Sequence, residues 1–167
     1  QGHTPLQAGL MTLPWTAMPL IVAPLSGLIA PRVGTRALIV TGLVLLAAGI
    51  GYLGVILTGE ATYAAQLPGY VAAGVGMGLA FSPISNAVLA GIAPADHAKA
   101  NGANSTLREI GVALGIAVLT AVFTGANGTL TPSGFADAAQ PAVLVGAEAV
   151  ALGALAALLL PSGRAVR

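Results

Sequence analysis

The chain contains no cysteine, which excludes disulfides and thiolate metal sites. Charge is nearly as scarce: 7% of its 167 residues are charged, six basic and five acidic, for a formal net charge of +1. A soluble domain averages roughly 25% charged residues, so this chain has too few polar side chains to coat a water-facing surface. Nor does it hold a basic patch for nucleic acid or an acidic tail for a charge-driven partner. Its two histidines, His3 and His97, lie outside every long apolar run, and it contains no Gly-x-Ser-x-Gly elbow, no His-Glu-x-x-His pair and no Gly-Lys-Ser/Thr phosphate loop. No catalytic residue, metal ligand or cofactor is expected, and the reading is not that of an enzyme.

What is abundant is hydrocarbon, at 56% hydrophobic residues and a mean hydropathy of +0.91. Lipid offers no partner to an exposed backbone group, and a helix of about 20 apolar residues pairs all of its own while crossing the bilayer. The residues therefore predict an all-α membrane protein, a multi-pass transmembrane helix bundle extending over residues 1–167. Its spans are expected at about 8–30, 37–58, 67–93, 105–124 and 141–160. Pro68 and Pro141 fall in the first turns of the third and fifth runs, where a missing N–H costs nothing, and so read as helix starts. Pro14, Pro19 and Pro24 in the first run and Pro83 in the third predict kinks. The chain opens on Gln1 with no basic stretch ahead of its first apolar run, so it has no signal-peptide pattern and is expected to begin inside a longer chain.

Arg32, Arg36, Lys99, Arg108, Arg164 and Arg167 all fall at one end of the predicted bundle, whereas the connections at the other end carry Glu60 and Asp137. Lys and Arg accumulate in cytoplasmic loops, which predicts a start outside and a C-terminus inside the cell membrane. Small residues recur within the runs. Gly74 and Gly78 in the third, and Gly111 and Gly115 in the fourth, are expected to let helices approach closely.

Four polar residues at membrane depth are candidates for a functional role. Arg108 shares a helical face with Gly111 and Gly115, and suits a cationic anchor reaching back to the interface, the lining of a cytoplasmic cavity or the bracing of a loop. Glu109 points about 100° away, which predicts that it is not simply the partner of Arg108; an interfacial acid paired with Lys99 or a neighbouring cation, and a titrating carboxyl, both stay open. Glu148, flanked at helical spacing by Leu144, Val145, Ala151 and Leu152, needs a partner, a proton or a watery cavity. Asn86, with Ser82 and Ser85, forms a polar stripe around Pro83 that fits interhelical hydrogen bonds or a substrate path equally well. Asn104-Ser-Thr106 and Asn127-Gly-Thr129 match the glycosylation sequon, a weak signal, since the first lies at the predicted cytoplasmic end.

A series of motifs occurs in a fixed order. Thr4-Pro-Leu-Gln-Ala-Gly-Leu10, Leu13-Pro14 and Ala23-Pro-Leu-Ser-Gly27 precede the stretch from Gly27 to Arg36; then come Gly78-Leu-Ala-Phe-Ser-Pro83, Ala93-Pro-Ala-Asp-His-Ala98 and the stretch from Ala100 to Gly115, with Ser133-Gly-Phe135 and Leu160-Pro161 last. The series resembles the second half of the major facilitator superfamily, most nearly its fourteen-helix drug:proton antiporters. Gly27, Arg32, Gly34 and Arg36 match the repeated cytoplasmic loop motif, with Pro31 where the family has an acid. Arg108 matches the arginine of an Asn-Thr-x-Arg-Gln-x-Gly pattern, in which Glu109 replaces glutamine. The resemblance implies a partial major facilitator fold, the last five helices of a proton-coupled multidrug efflux transporter. Its partners would be the lipid bilayer, the missing N-terminal helices, protons and a small-molecule substrate. A non-transporting or partner-dependent helix bundle, and a major facilitator carrying another class of substrate, are the alternatives.

Overall fold

The computed structural model describes residues 5–57, 62–89, 91–129 and 131–160; His3, Glu60, Pro161, Arg164 and Arg167 lie outside them. Five α-helices follow one another: α1 (Pro5–Val33), α2 (Thr35–Val55), α3 (Tyr63–Leu89), α4 (His97–Gly125) and α5 (Pro132–Ala157), with a single 3-10 turn over Pro94–Asp96 ahead of α4. All five are long and apolar enough to cross a membrane, and the described residues contain no strand.

Helix ends depart from the hydropathy reading where polar helix continues past the apolar run. α4 starts at His97, eight residues ahead of the predicted 105, so Arg108 sits about three turns into its helix rather than one. Pro94 opens the preceding turn, and a His97 ring nitrogen contacts the Ile92 carbonyl at 3.0 Å. α5 starts at Pro132, with Thr131 as its N-cap residue, so Asp137 lies within the helix and not in a loop. Pro68 and Pro141 are accordingly interior prolines. Neither marks a start; Pro132 takes that place in α5, because a first-turn nitrogen has no carbonyl to bond. The stretch from Gly27 to Arg36 is likewise helical except at Gly34, whose φ of 94° and ψ of 138° suit glycine and turn α1 directly into α2.

Asn127 has a local structural role. It adopts a left-handed φ of 54°, while the Gly128 N–H donates to the Phe123 carbonyl at 3.1 Å and its own N–H donates to Thr124 at 3.1 Å. These paired bonds close the end of α4, which satisfies carbonyls that the helix leaves open.

The helices stand in the order α1, α3, α2, α5, α4. α3 packs along both α1 and α2, α2 packs on α5, and α4 leans on α5 with a few further contacts to α3. The core is built from small side chains, among them Ala73, Ala80, Ala138 and Ala142, with Leu38 and Ile39. Where no hydrophobic force separates lipid from protein, close backbone approach and van der Waals contact hold helices together. Gly76 lies so close to α2 that a Cβ there would stand 2.4 Å from the Leu46 nitrogen and 2.5 Å from the Gly42 carbonyl oxygen.

Candidate functional site

The polar groups at membrane depth fall on three surfaces. The first is the seam between α1 and α3. Pro83 has no N–H to give the Leu79 carbonyl, four residues back, and an orphaned carbonyl away from water is costly. Ser26, fully buried on α1, donates its Oγ hydrogen to that Leu79 oxygen at 3.1 Å. An interhelical hydrogen bond thus forms beside Pro83, but its donor is Ser26, a residue that the sequence reading passed over. The legible signal was the offset of four between Leu79 and Pro83, which names the carbonyl needing a donor. Of the predicted stripe, Ser85 donates back to Phe81 of its own helix at 3.1 Å, Ser82 faces Gly27, whose Cβ position is 3.5 Å from its Oγ, and Asn86 is exposed.

Replacing Ser26 with alanine strands the Leu79 carbonyl. The expected loss is about 1 kcal/mol, read as a lower thermal midpoint of the detergent-solubilised protein; an unchanged midpoint would show that another donor serves this carbonyl.

The same seam uses Gly74 and Gly78. A Cβ on Gly74 would stand 2.8 Å from the Met18 Cβ and 2.9 Å from the Trp15 carbonyl, the carbonyl that Pro19 leaves without its helical donor. A Cβ on Gly78 would stand 2.7 Å from the Val22 Cβ.

The second surface is α4, which has no buried residue along its whole length. Arg108 Nη2 donates to Glu109 Oε1 at 3.3 Å, and both side chains are more than half exposed, at 59% and 68%. This corrects the expectation that adjacent helical residues leave Glu109 without Arg108: the long arginine side chain reaches around the 100° offset. Lys99 does not serve Glu109, since it pairs with Asp96 at 2.8 Å. Gly111 and Gly115 have nothing within 4 Å of a Cβ position. Within this chain they therefore do no close packing, and the seam glycines Gly74 and Gly78 are not their counterparts. At the far end of α4, Phe123 meets Phe135 of α5 with ring centroids 5.4 Å apart.

The third surface holds isolated groups. Glu148 is exposed on α5 with no ion pair among the described residues, while Leu144 of the same helix packs toward Gly54 of α2. Arg32 is exposed in the last turn of α1, and Arg36 is half-buried in the first turn of α2, on either side of Gly34. The structure therefore pairs Arg108 with Glu109, and Glu148, Arg32 and Arg36 take part in no ion pair among the described residues. No cluster of three or more His, Cys, Asp or Glu that would hold a metal occurs among the described residues.

Comparison with known proteins gives this surface its context. The chain is 37% identical to the multidrug resistance protein Stp of Mycobacterium tuberculosis over 134 residues, which is 79% of this chain and 24% of that protein. It is 32% identical to the multidrug efflux pump LfrA of Mycolicibacterium smegmatis over 175 aligned positions, 98% of this chain and 34% of the pump. The MFS-type transporter YhcA of Bacillus subtilis is 29% identical over 74% of this chain and 23% of its own. The chain thus spans about a quarter to a third of the length of the curated relatives it matches. No family model and no solved structure matches it. Five apolar helices, no strand among the described residues and likeness to these transporters over most of its length lead to one assignment: the chain belongs to the major facilitator superfamily and is a multi-pass membrane protein.

Proposed function

We propose that the chain is the C-terminal part of a longer exporter, one that expels hydrophobic or cationic small molecules in exchange for protons by alternating access. Its carrying observation is the bare α4. A helix with no buried residue, an ion pair about three turns from its start and two glycines facing open space is poorly suited to lipid on every side. Helices supplied by the rest of the parent chain would cover it, and the substrate cavity would lie between those helices and this surface. The names of Stp and LfrA support drug export as the activity. The end carrying Arg32, Arg36, Lys99 and Arg108 is assigned to the cytoplasm on the positive-inside rule.

The test is ethidium efflux from a pump-deficient bacterium expressing the full-length parent, with and without a protonophore. Efflux that stops when the protonophore is added is the expected result. Efflux that continues would overturn proton coupling, and no efflux from correctly inserted protein would move the substrate to another class.

A further inference from the structure

We propose that the end of the bundle opposite the cations holds a small-molecule site of its own, an apolar cavity that takes a neutral compound of about two fused rings bearing one hydroxyl or carbonyl. The cavity measures about 320 Å³ and is lined by Trp15 of α1, Leu53 of α2 and Ile56 just past its end, Gln66 and Tyr70 of α3, and Val143 of α5. Four helices meet there, and α4 with its Arg108 and Glu109 takes no part, so the cavity is separate from the surface on which the export reading rests.

Its origin is the spacing of the helices. α2 and α3 close on each other where Gly69 admits Leu53, a Cβ on Gly69 being only 2.6 Å from Leu53 Cγ. α1 packs on α3 and touches α2 at few points, which leaves room between Trp15 and the last turns of α2. The space is a half-open cleft between the helices rather than a sealed void, so a compound can enter it without the bundle unfolding.

Size and chemistry narrow the occupant. An apolar cavity of about 150 Å³ accepts benzene, and ligand pockets begin near 300 Å³. A volume of about 320 Å³ therefore suits two rings and is short of a large drug. Among the described residues no Asp, Glu, Lys or Arg lines it, so a charged compound would lose its hydration without a partner from them. Trp15, Gln66 and Tyr70 are the lining residues with polar side-chain atoms, and the Tyr70 hydroxyl donates to Gln66 Oε1 at 3.2 Å. A single ligand oxygen can enter that bond, accepting from Tyr70 or donating to Gln66, and Trp15 and Tyr70 place two aromatic side chains in the lining. This inference does not depend on the export reading and stands if the parent moves no drug.

The experiment is photolabelling of the intact parent in membranes with 5-azido-1-naphthol, with labelled residues mapped by mass spectrometry. Leu152, which is 65% exposed on α5, reports simple partition into lipid. Excess 1-naphthol is expected to cut labelling of Trp15 and Tyr70 about tenfold, equivalent to about 1.4 kcal/mol of occupancy, and to leave labelling of Leu152 nearly unchanged. Ile56→Trp, just past α2, and Val143→Phe on α5 fill the cavity from two sides, and each should abolish the competed fraction. Gln66→Leu keeps the volume and should weaken competition about tenfold through the lost polar contact. Labelling that does not saturate, that tracks Leu152, or that survives in both filled variants would overturn the proposal.

Discussion

Gly76→Val is expected to remove most of the folded protein from the membrane. The two atoms a Cβ would meet, the Leu46 nitrogen and the Gly42 carbonyl oxygen, belong to the α2 backbone and cannot turn aside as a side-chain tip would. Gly42 makes the reciprocal approach, its own Cβ position lying 2.7 Å from the Ala80 nitrogen and the Gly76 oxygen. Valine must push two helices apart along the tightest seam of the bundle, which places its cost at about 3 kcal/mol or more, the upper end for an overpacked site. The measurement is the monodisperse fraction after detergent extraction, together with its thermal midpoint. Gly115→Val is the control. Nothing lies within 4 Å of that position, and in the isolated 167-residue chain the change should be nearly silent. In the full-length parent it should be costly if helices from outside this chain pack on α4. A Gly76→Val protein of normal yield and midpoint would contradict the packing described for α2 and α3.

Arg108→Leu in the full-length parent is expected to lower drug efflux at least about tenfold, a change worth about 1.4 kcal/mol, and Glu109→Gln to lower it less than about twofold. The asymmetry follows from reach. Arg108 and Glu109 pair at 3.3 Å, but if Glu109 is neutralised the arginine can extend its long side chain toward the cation-rich interface. If Arg108 is removed, the short Glu109 side chain is left as a carboxylate at membrane depth without its cation. Efflux rates normalised to protein in the membrane separate this from poor insertion. Equal losses in both variants would indicate that the pair acts as a unit, and a larger loss in Glu109→Gln would assign the carboxylate a titrating role.

Hydropathy made the five membrane-length helices legible, because bilayer crossing is written in runs of apolar side chains. Their ends were not, and the reason differs from end to end. His97 to Asn104 is polar yet helical, since helix can continue beyond an apolar run; Pro132 starts α5 inside a stretch whose polar residues resemble a loop. Pro68 and Pro141 misled for a related reason: a proline marks a start only if helix does not already precede it. The pairing of Arg108 with Glu109 was hidden by an argument from Cβ directions, which ignores the length of an arginine. Ser26 was hidden because its partner is a backbone carbonyl, and only Pro83 makes that carbonyl needy. The bareness of α4 has no trace in its own residues, whose glycines and apolar side chains look like those of a packed helix.

The junction at Gly34 bears on how this bundle can move. A single residue joins α1 to α2, and successive Cα atoms stand about 3.8 Å apart, so neither helix can slide along its axis without dragging the other. Six residues, 126–131, join α4 to α5, and seven, 90–96, join α3 to α4. α3 packs along both α1 and α2, and α4 packs least tightly on its neighbours of the five helices. Whatever moves α1 or α2 along its axis therefore moves the other, and Gly34 couples them end to end.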